Sequence, residues 1–113
     1  MERASASGPR PGTESRGEAA AFTAAAGVLR ALSHPARLRI VALLSDGELC
    51  VKRLEEVLGI PQPSVSQHLS RLRYAGLIEC ERRGHLVCYR LTSRRAAAVL
   101  SAALGRGDGR KGA

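Results

Sequence analysis

LEEVLGIPQPSVSQHLSRLRYAGL, residues 54–77, is the stretch that decides the fold of this chain. Leu54, Val57 and Leu58 have the spacing of one buried helix face. Gly59 follows as a residue that can take the left-handed conformation and end that helix. The two prolines after it cannot continue the helix but are tolerated in the first turn of another. The segment therefore predicts two short helices joined by a tight turn, a helix-turn-helix.

Polar side chains cover the exposed side of the second predicted helix. Val65, Leu69 and Leu72 repeat at helical spacing and are predicted to point inward. The side chains left outside suit base edges and phosphates in a DNA groove, since glutamine pairs with adenine through two hydrogen bonds and helix starts favour phosphate. The candidate base contacts are Ser64, Ser66 and Gln67, and the candidate phosphate contacts are Gln62, His68 and Arg71. For His68, a structural hydrogen bond inside the domain is the alternative.

A β-hairpin is predicted directly after this helix. Residues 76–91, GLIECERRGHLVCYRL, contain two strand-like runs separated by a glycine-centred turn at 82–85. A hairpin in this position is the wing of a winged helix-turn-helix, and its basic tip would lie along the sugar-phosphate backbone or in the adjacent minor groove. The candidate wing contacts, which position the protein more than they specify sequence, are Arg82, Arg83 and His85.

Three further helices complete the prediction, a mainly α fold with a small β-hairpin in the order α-α-α-α-β-β-α. The first covers residues 18–32, the second is capped by Ser33 and His34 and started by Pro35, and the last covers residues 94–104. One winged helix-turn-helix domain, 18–104, is therefore expected. Residues 1–17 and the basic segment 105–113 are predicted to be disordered, because their Ser, Gly, Pro and charged content buries little apolar area.

Composition agrees with a polyanionic partner. Lys and Arg number 18 against 10 Asp and Glu, a formal net charge of +8. A solvated surface would carry the same excess, so charge alone leaves both interpretations open. No run is apolar enough to span a membrane, and the first residues lack an apolar signal core. An odd count of three cysteines without a secretory route predicts a cytoplasmic protein with free thiols.

Three runs together resemble the ArsR/SmtB family of bacterial metal- and thiol-responsive repressors. They are ALSHPARLRIVALLSDGELCV (31–51), QPSVSQHLSRLRYAGLI (62–78) and RRGHLVCYRLT (82–92). The resemblance implies a homodimer, formed through the first and last helices, that binds double-stranded DNA at an inverted repeat. Half-sites would lie about one helical turn apart. It also implies a repressor that leaves its operator when an effector binds.

The metal sites of this family are incomplete in the sequence. Arsenic-sensing members carry Cys-Val-Cys at the start of the third helix, whereas residues 48–52, ELCVK, keep only Cys50 and put Lys52 in the second position. One thiol cannot hold a soft ion, which takes about three or four thiolate or imidazole ligands. The last helix, 94–104, contains no Asp, Glu or His, so the zinc-type site of other members is predicted to be absent.

The remaining thiols lie on the two wing strands. A two-residue turn at 83–84 pairs Cys80 with Val87 and Cys88 with Glu79, which puts the two cysteines on opposite sides of the sheet. A Cys80–Cys88 disulfide is therefore not expected.

Cys50 is the better companion for Cys88. In winged helices the segment before the third helix commonly adds a strand beside the second wing strand, and residues 48–51 are that segment. Cys50 and Cys88 are then predicted to come within bridging distance, with Cα atoms about 4.4–6.8 Å apart.

Three hypotheses for the effector remain open. Arsenite or another soft metal ion would be bound by Cys50 with Cys80 or Cys88, within one subunit or across the dimer; this leads because 48–51 match the arsenic-sensing branch. Thiol oxidation or persulfidation is the second. The third is that all three cysteines are only small buried hydrophobes.

Two other functional classes fit the sequence less well. A winged-helix protein-interaction module would not need the basic wing or the polar helix face. A thiol enzyme would pair a cysteine with His34, His68 or His85, but the sequence offers no phosphate loop and no acid pair. The chain is predicted not to be an enzyme.

Overall fold

The computed structural model describes residues 11–13 and 15–106. The elements are α1 (Arg16–Leu32), α2 (Pro35–Ser45), β1 (Leu49–Cys50), α3 (Val51–Leu58), α4 (Gln62–Tyr74), β2 (Ile78–Arg83), β3 (Leu86–Leu91) and α5 (Arg94–Ala103). This is the predicted winged helix-turn-helix, with the extra strand expected before α3. The segments predicted to be disordered, 1–17 and 105–113, lie mostly outside the described residues.

Helix α1 begins at Arg16, two residues before the start predicted from the sequence. Ser15 and Glu18 form a reciprocal capping box: the Ser15 Oγ accepts the Glu18 N–H at 3.1 Å, and Glu18 Oε1 accepts the Ser15 N–H at 3.0 Å. Such a box satisfies two backbone donors that a helix start leaves unpaired. Residues 16 and 17, predicted to be disordered, are therefore helical.

The predicted start of α2 and end of α3 agree with the structure, whereas α5 ends at Ala103, one residue before its predicted end. His34 caps α2, its Nδ1 accepting the Ala36 N–H at 3.0 Å, and Pro35 is the first helical residue. Gly59 ends α3 with a left-handed φ of 66°. Gly59 suits this position because glycine takes the left-handed conformation at no steric cost, so the chain can turn out of α3 here.

Every helix contributes to one apolar core, which sets the orientation of α4. The largest fully buried side chains include Ile40, Leu54, Leu69 and Leu72. The other buried core residues are Val28, Ala31, Leu32, Val41, Leu44, Leu58, Val65, Leu77, Ile78, Ala96 and Leu100. Because Val65, Leu69 and Leu72 all point inward, the polar residues of α4 are left on its outer side.

The sheet has the order β1-β3-β2, and both pairs are antiparallel. Its wing register differs from the predicted one: Arg83 pairs with Leu86, so the turn is Gly84-His85 and not Arg83-Gly84. Gly84 has a φ of 64°. A hairpin turn with glycine at its first position accommodates this positive φ, whereas the predicted turn would have put Arg83 there.

The corrected register changes the partners of the wing cysteines but not their faces. Cys80 is opposite Tyr89 and Cys88 is opposite Glu81, instead of Val87 and Glu79. Moving the turn by one residue shifts the pairing by two positions, and strand faces repeat every two residues. Cys80 is accordingly exposed, while Cys88 on the other face is 3% exposed.

Candidate nucleic-acid interface

The outer side of α4 presents a polar surface at the start of the helix. Gln62, Ser66 and Gln67 are exposed, and Ser64 is half-buried. The Gln62 Nε2 donates to the Ser66 Oγ at 3.4 Å, which links two candidate contacts one turn apart. Four of the six candidate DNA contacts on α4 therefore lie together near the start of the helix; they are Gln62, Ser64, Ser66 and Gln67.

His68 lies against α2 and not on the outer side of α4. Its ring centroid is 4.4 Å from that of His34, and its Nδ1 is 3.3 Å from Nη1 of Arg37, which donates to it. Burial lowers the pKa of His68, and the positive charges of His34, Arg37 and Arg71 lower it further. The neutral ring is therefore favoured, and it accepts a hydrogen bond inside the domain.

The wing arginine Arg83 is held by two carboxylates. Its Nη2 lies 2.9 Å from Oε2 of Glu48, just before β1, and 3.0 Å from Oε1 of Glu81 on its own strand. Hydrogen bonds to Glu81 and Glu48 raise the pKa of Arg83. Arg82 and His85 are exposed at the hairpin tip. The wing thus presents two candidate contacts outward, while the third is tied to the body of the domain.

The structure brings two of the three thiols together. Cys50 and Cys88 are direct partners across β1 and β3, their Cα atoms are 3.8 Å apart, and their sulfur atoms are joined as a disulfide. The approach of Cys50 to Cys88 predicted from the sequence is confirmed, but their Cα separation is shorter than the predicted range of about 4.4–6.8 Å. The prediction that all three thiols are free is wrong for Cys50 and Cys88, which are bonded to each other. Cys80 stands apart on the exposed face of the hairpin. Within 11–13 and 15–106, no group of three or more His, Cys, Asp or Glu residues is arranged to hold a metal ion.

Further residues beside the predicted site were missed by the sequence interpretation. Ser70, Arg73 and Tyr74 are exposed on the second half of α4, and Tyr74 is 97% exposed. Ser70 and Tyr74 follow Gln67 by three and seven residues, so helical spacing alone puts all three on one side. Arg30 and Arg37 also line a groove beside α4, and no sequence signal connects them with it.

A separate apolar surface lies on the first and last helices. Phe22 and Leu29 of α1 are 66% and 55% exposed, and Leu104 after α5 is 48% exposed. Phe22 and Leu29 are seven residues apart and share one side of α1. Across the described part of the chain, no helix has the length and apolar character needed to cross a membrane.

The α3–α4 pair and the β2–β3 hairpin define this chain as a winged helix-turn-helix protein. A family model described as bacterial regulatory protein, arsR family, matches residues 34–79. The chain is 44% identical over 77 residues, 68% of each chain, to the biofilm growth-associated repressor of Xylella fastidiosa. It is 42% identical over 65 residues, 57% of this chain and 51% of the relative, to the arsenic resistance transcriptional regulator ArsR1 of Pseudomonas putida.

A solved structure with the same fold is the homodimeric winged helix-turn-helix DNA-binding domain Mb0332 of Mycobacterium bovis. Its TM-score is 0.71 at 29% identity, and the match covers 83% of this chain and 87% of that one. The chain belongs to the arsR family of bacterial regulatory proteins, as its sequence resemblance predicted. Members of this family are transcriptional regulators and not enzymes.

Proposed function

We propose that this protein is a homodimeric transcriptional repressor that binds an inverted-repeat operator and releases it when the Cys50–Cys88 thiol pair reacts. The observation that carries the proposal is the direct pairing of Cys50 with Cys88. Cys50 immediately precedes α3, the first helix of the helix-turn-helix, and Cys88 lies on the second wing strand. Chemistry at this pair acts where the two DNA-binding elements meet.

Operator binding would use the outer side of α4 and the tip of the wing. Ser66 and Gln67 are exposed and have the donors and acceptors that base edges require. Arg82 and His85 on the wing would contact the backbone and set the position of α4. The net charge of +8 favours association with DNA.

Dimer formation would bury the apolar surface of α1 and the end of α5. Phe22, Leu29 and Leu104 are large apolar side chains that water contacts in the single chain. Burying apolar surface contributes about 25 cal/mol per Å². The homodimeric relative Mb0332 supports this assembly. A two-fold dimer presents two copies of α4, and such a pair requires an inverted repeat.

Oxidation is the first candidate for the effector chemistry. Two thiols at Cys50 and Cys88 lose two protons and two electrons to a peroxide, which is reduced to water, and one S–S bond forms. The disulfide fixes the wing relative to α3. Because α4 and the wing must fit neighbouring grooves together, we expect the fixed arrangement to bind the operator less tightly.

Arsenite or another soft metal ion is the second candidate. Two thiolates can replace two hydroxyl groups of arsenite, and the relative ArsR1 is named for arsenic resistance. We rank it after oxidation, which reverses the order suggested by the sequence. Cys50 and Cys88 face each other, but Cys80 lies on the opposite face, and soft ions usually take three or four ligands.

The experiment begins with reduced protein and a library of randomised DNA duplexes. We expect selection to recover an inverted repeat, whose affinity is then measured by fluorescence anisotropy before and after hydrogen peroxide or arsenite. Reaction of the pair should weaken binding by about 5- to 150-fold, the usual size of coupling between two sites.

Cysteine variants assign the response. Cys50→Ala and Cys88→Ala should each remove it, whereas Cys80→Ser, which changes the exposed thiol alone, should respond like the wild type. A response that survives in both alanine variants, or disappears in Cys80→Ser, would contradict the role of the pair. A peroxide response without an arsenite response selects oxidation, and the reverse selects arsenite.

A further inference from the structure

An open groove of about 630 Å³ runs between α1 and α4, and one arginine from each of three helices lines it. Arg30 comes from α1, Arg37 from α2 and Arg71 from α4. Small residues, including Gly27 and Ala31, also line the groove and leave room between the helices. We call this feature the arginine groove.

The three arginines carry positive charge that no carboxylate of the described residues neutralises. The ion pairs formed by described arginines involve Arg53, Arg83 and Arg90, and no carboxylate among residues 11–13 and 15–106 pairs with the groove arginines. Arg71 is close enough to Arg37 for its charge to lower the pKa of Arg37, after the larger effect of burial. Like charges gathered in this way favour an anion between them.

Arg37 is held in position before any ligand arrives. Its Nε donates to the carbonyl oxygen of Ala31 at 2.6 Å, and its Nη1 donates to Nδ1 of His68 at 3.3 Å. A guanidinium fixed on its inner side retains other N–H groups, and arginine suits phosphate because two of these can bind two oxygens at once. Holding the side chain in advance also lowers the entropy cost of binding.

The groove is continuous with the side of α4 that carries the candidate DNA contacts. Gln67, Ser70 and Tyr74 line it from α4 and are all exposed. A helix in the major groove of DNA lies between two phosphate strands, so a basic surface at its flank faces one of them. The groove is also open along one side, as a passing strand requires, whereas small-molecule sites enclose most of their ligand.

We infer that the arginine groove binds a phosphate of the operator strand beside α4, so that α1 and α2 join α4 and the wing in holding DNA. This inference rests on the proposed operator binding. It adds Arg30 and Arg37 to the interface and gives Arg71 its phosphate partner. The contact is to the DNA phosphate backbone alone. It therefore adds affinity and fixes the position of the protein along the duplex, but it gives no base preference.

The test is the salt dependence of operator binding by Arg30→Gln and Arg71→Gln, with Arg94→Gln as the matched control. Arg94 opens α5 and is exposed outside the groove. Each lost phosphate contact lowers the slope of log affinity against log salt by about 0.9. A dimer has two grooves, so each groove variant should lose about two units of slope, equally on specific and non-specific duplexes. Arg94→Gln should keep the wild-type slope.

One result would overturn the inference while leaving operator binding intact: groove variants whose slope matches that of Arg94→Gln. If inorganic phosphate then shifts the NMR signals of Arg30 and Arg71, the groove binds a free anion and not the operator strand. A wild-type protein that selects no duplex at all would instead contradict the proposed function.

Discussion

Glu48 and Arg83 are joined by an ion pair of 2.9 Å that connects the segment before β1 to the tip of the wing. They are 35 residues apart in the sequence. Glu48 precedes Cys50 by two residues, so the same short segment holds a wing cation and one member of the thiol pair. Arg83 was predicted to contact DNA, but in the structure its guanidinium is paired with the carboxylates of Glu48 and Glu81.

Replacing Glu48 with glutamine should make Arg83 more available to DNA. The variant has one carboxylate fewer to compete with DNA phosphate for Arg83, so we expect tighter operator binding at low salt. The slope of log affinity against log salt should become steeper by up to about one per subunit. Glu56→Gln is the control, because it removes a carboxylate paired with Arg53 on α3, away from the wing. Equal behaviour of the two variants would mean that Arg83 does not reach DNA.

Gln67→Ala should reduce the preference for the operator more than general DNA binding. A glutamine that pairs with adenine through two hydrogen bonds contributes about 1–3 kcal/mol of discrimination. Titration with a scrambled duplex measures general DNA binding, and its comparison with titration of the selected inverted repeat measures the preference for the operator. Equal losses on the two duplexes would instead identify Gln67 as a backbone contact.

Leu29→Asp should weaken the dimer. It puts a charge into the exposed apolar side of α1, where a partner subunit would have to bury it. Sedimentation velocity should show a dimer for the wild type and a larger monomer fraction for the variant. Leu86→Asp, at a similarly exposed leucine on the wing, should stay dimeric; monomers in both variants would argue against a specific α1 interface.

His68 makes folding stability fall as the solution becomes acidic. Its folded-state pKa lies below the ordinary value of 6.5, so the unfolded chain binds the proton more readily. The contribution of the neutral ring is complete above pH 6.5 and is lost as pH falls from there through the lowered folded-state pKa. Urea unfolding between pH 7.5 and about 5 should be less pH-dependent in His68→Gln. Gln67→Ala, which changes an exposed residue of α4 that does not titrate, should retain the wild-type dependence.

Leu69→Ala should cost about 2–5 kcal/mol in the free energy of unfolding, since the side chain is 1% exposed and its removal leaves a cavity under α4. Leu86→Ala, on the exposed wing, should change it by less than about 0.5 kcal/mol. Urea denaturation at one fixed protein concentration compares them, because the proposed dimer would make stability concentration-dependent. A small effect at Leu69 would mean that α4 does not depend on this contact.

The local features of the fold were predictable from the sequence, because neighbouring residues determine them. Gly59 and the inward spacing of Val65, Leu69 and Leu72 specify the α3–α4 unit almost alone. The capping box of Ser15 and Glu18 is also a local signal, and it puts the start of α1 two residues before the predicted one.

The features set by packing were not predictable in the same way. The wing register depends on whether Gly84 is the first or the second residue of the turn. The sequence allows both positions, and they differ by one residue in where the turn lies. Arg30, Arg37 and Arg71 meet only because three helices pack against one core, and nothing in their spacing indicates this. Arg83 looked free in the sequence because its partner Glu48 is distant along the chain.

Cys50 is the cap residue immediately before α3, yet its side chain makes no capping hydrogen bond. At the start of α1, by contrast, the Ser15 hydroxyl is needed for the cap. The sulfur of Cys50 can therefore be oxidised, reduced or bound by another atom without removing a hydrogen bond from the helix behind it. Under the proposed function, a chemical change at this atom would alter the geometry between the wing and the helix-turn-helix, while the hydrogen bonds at the start of α3 would stay as they are.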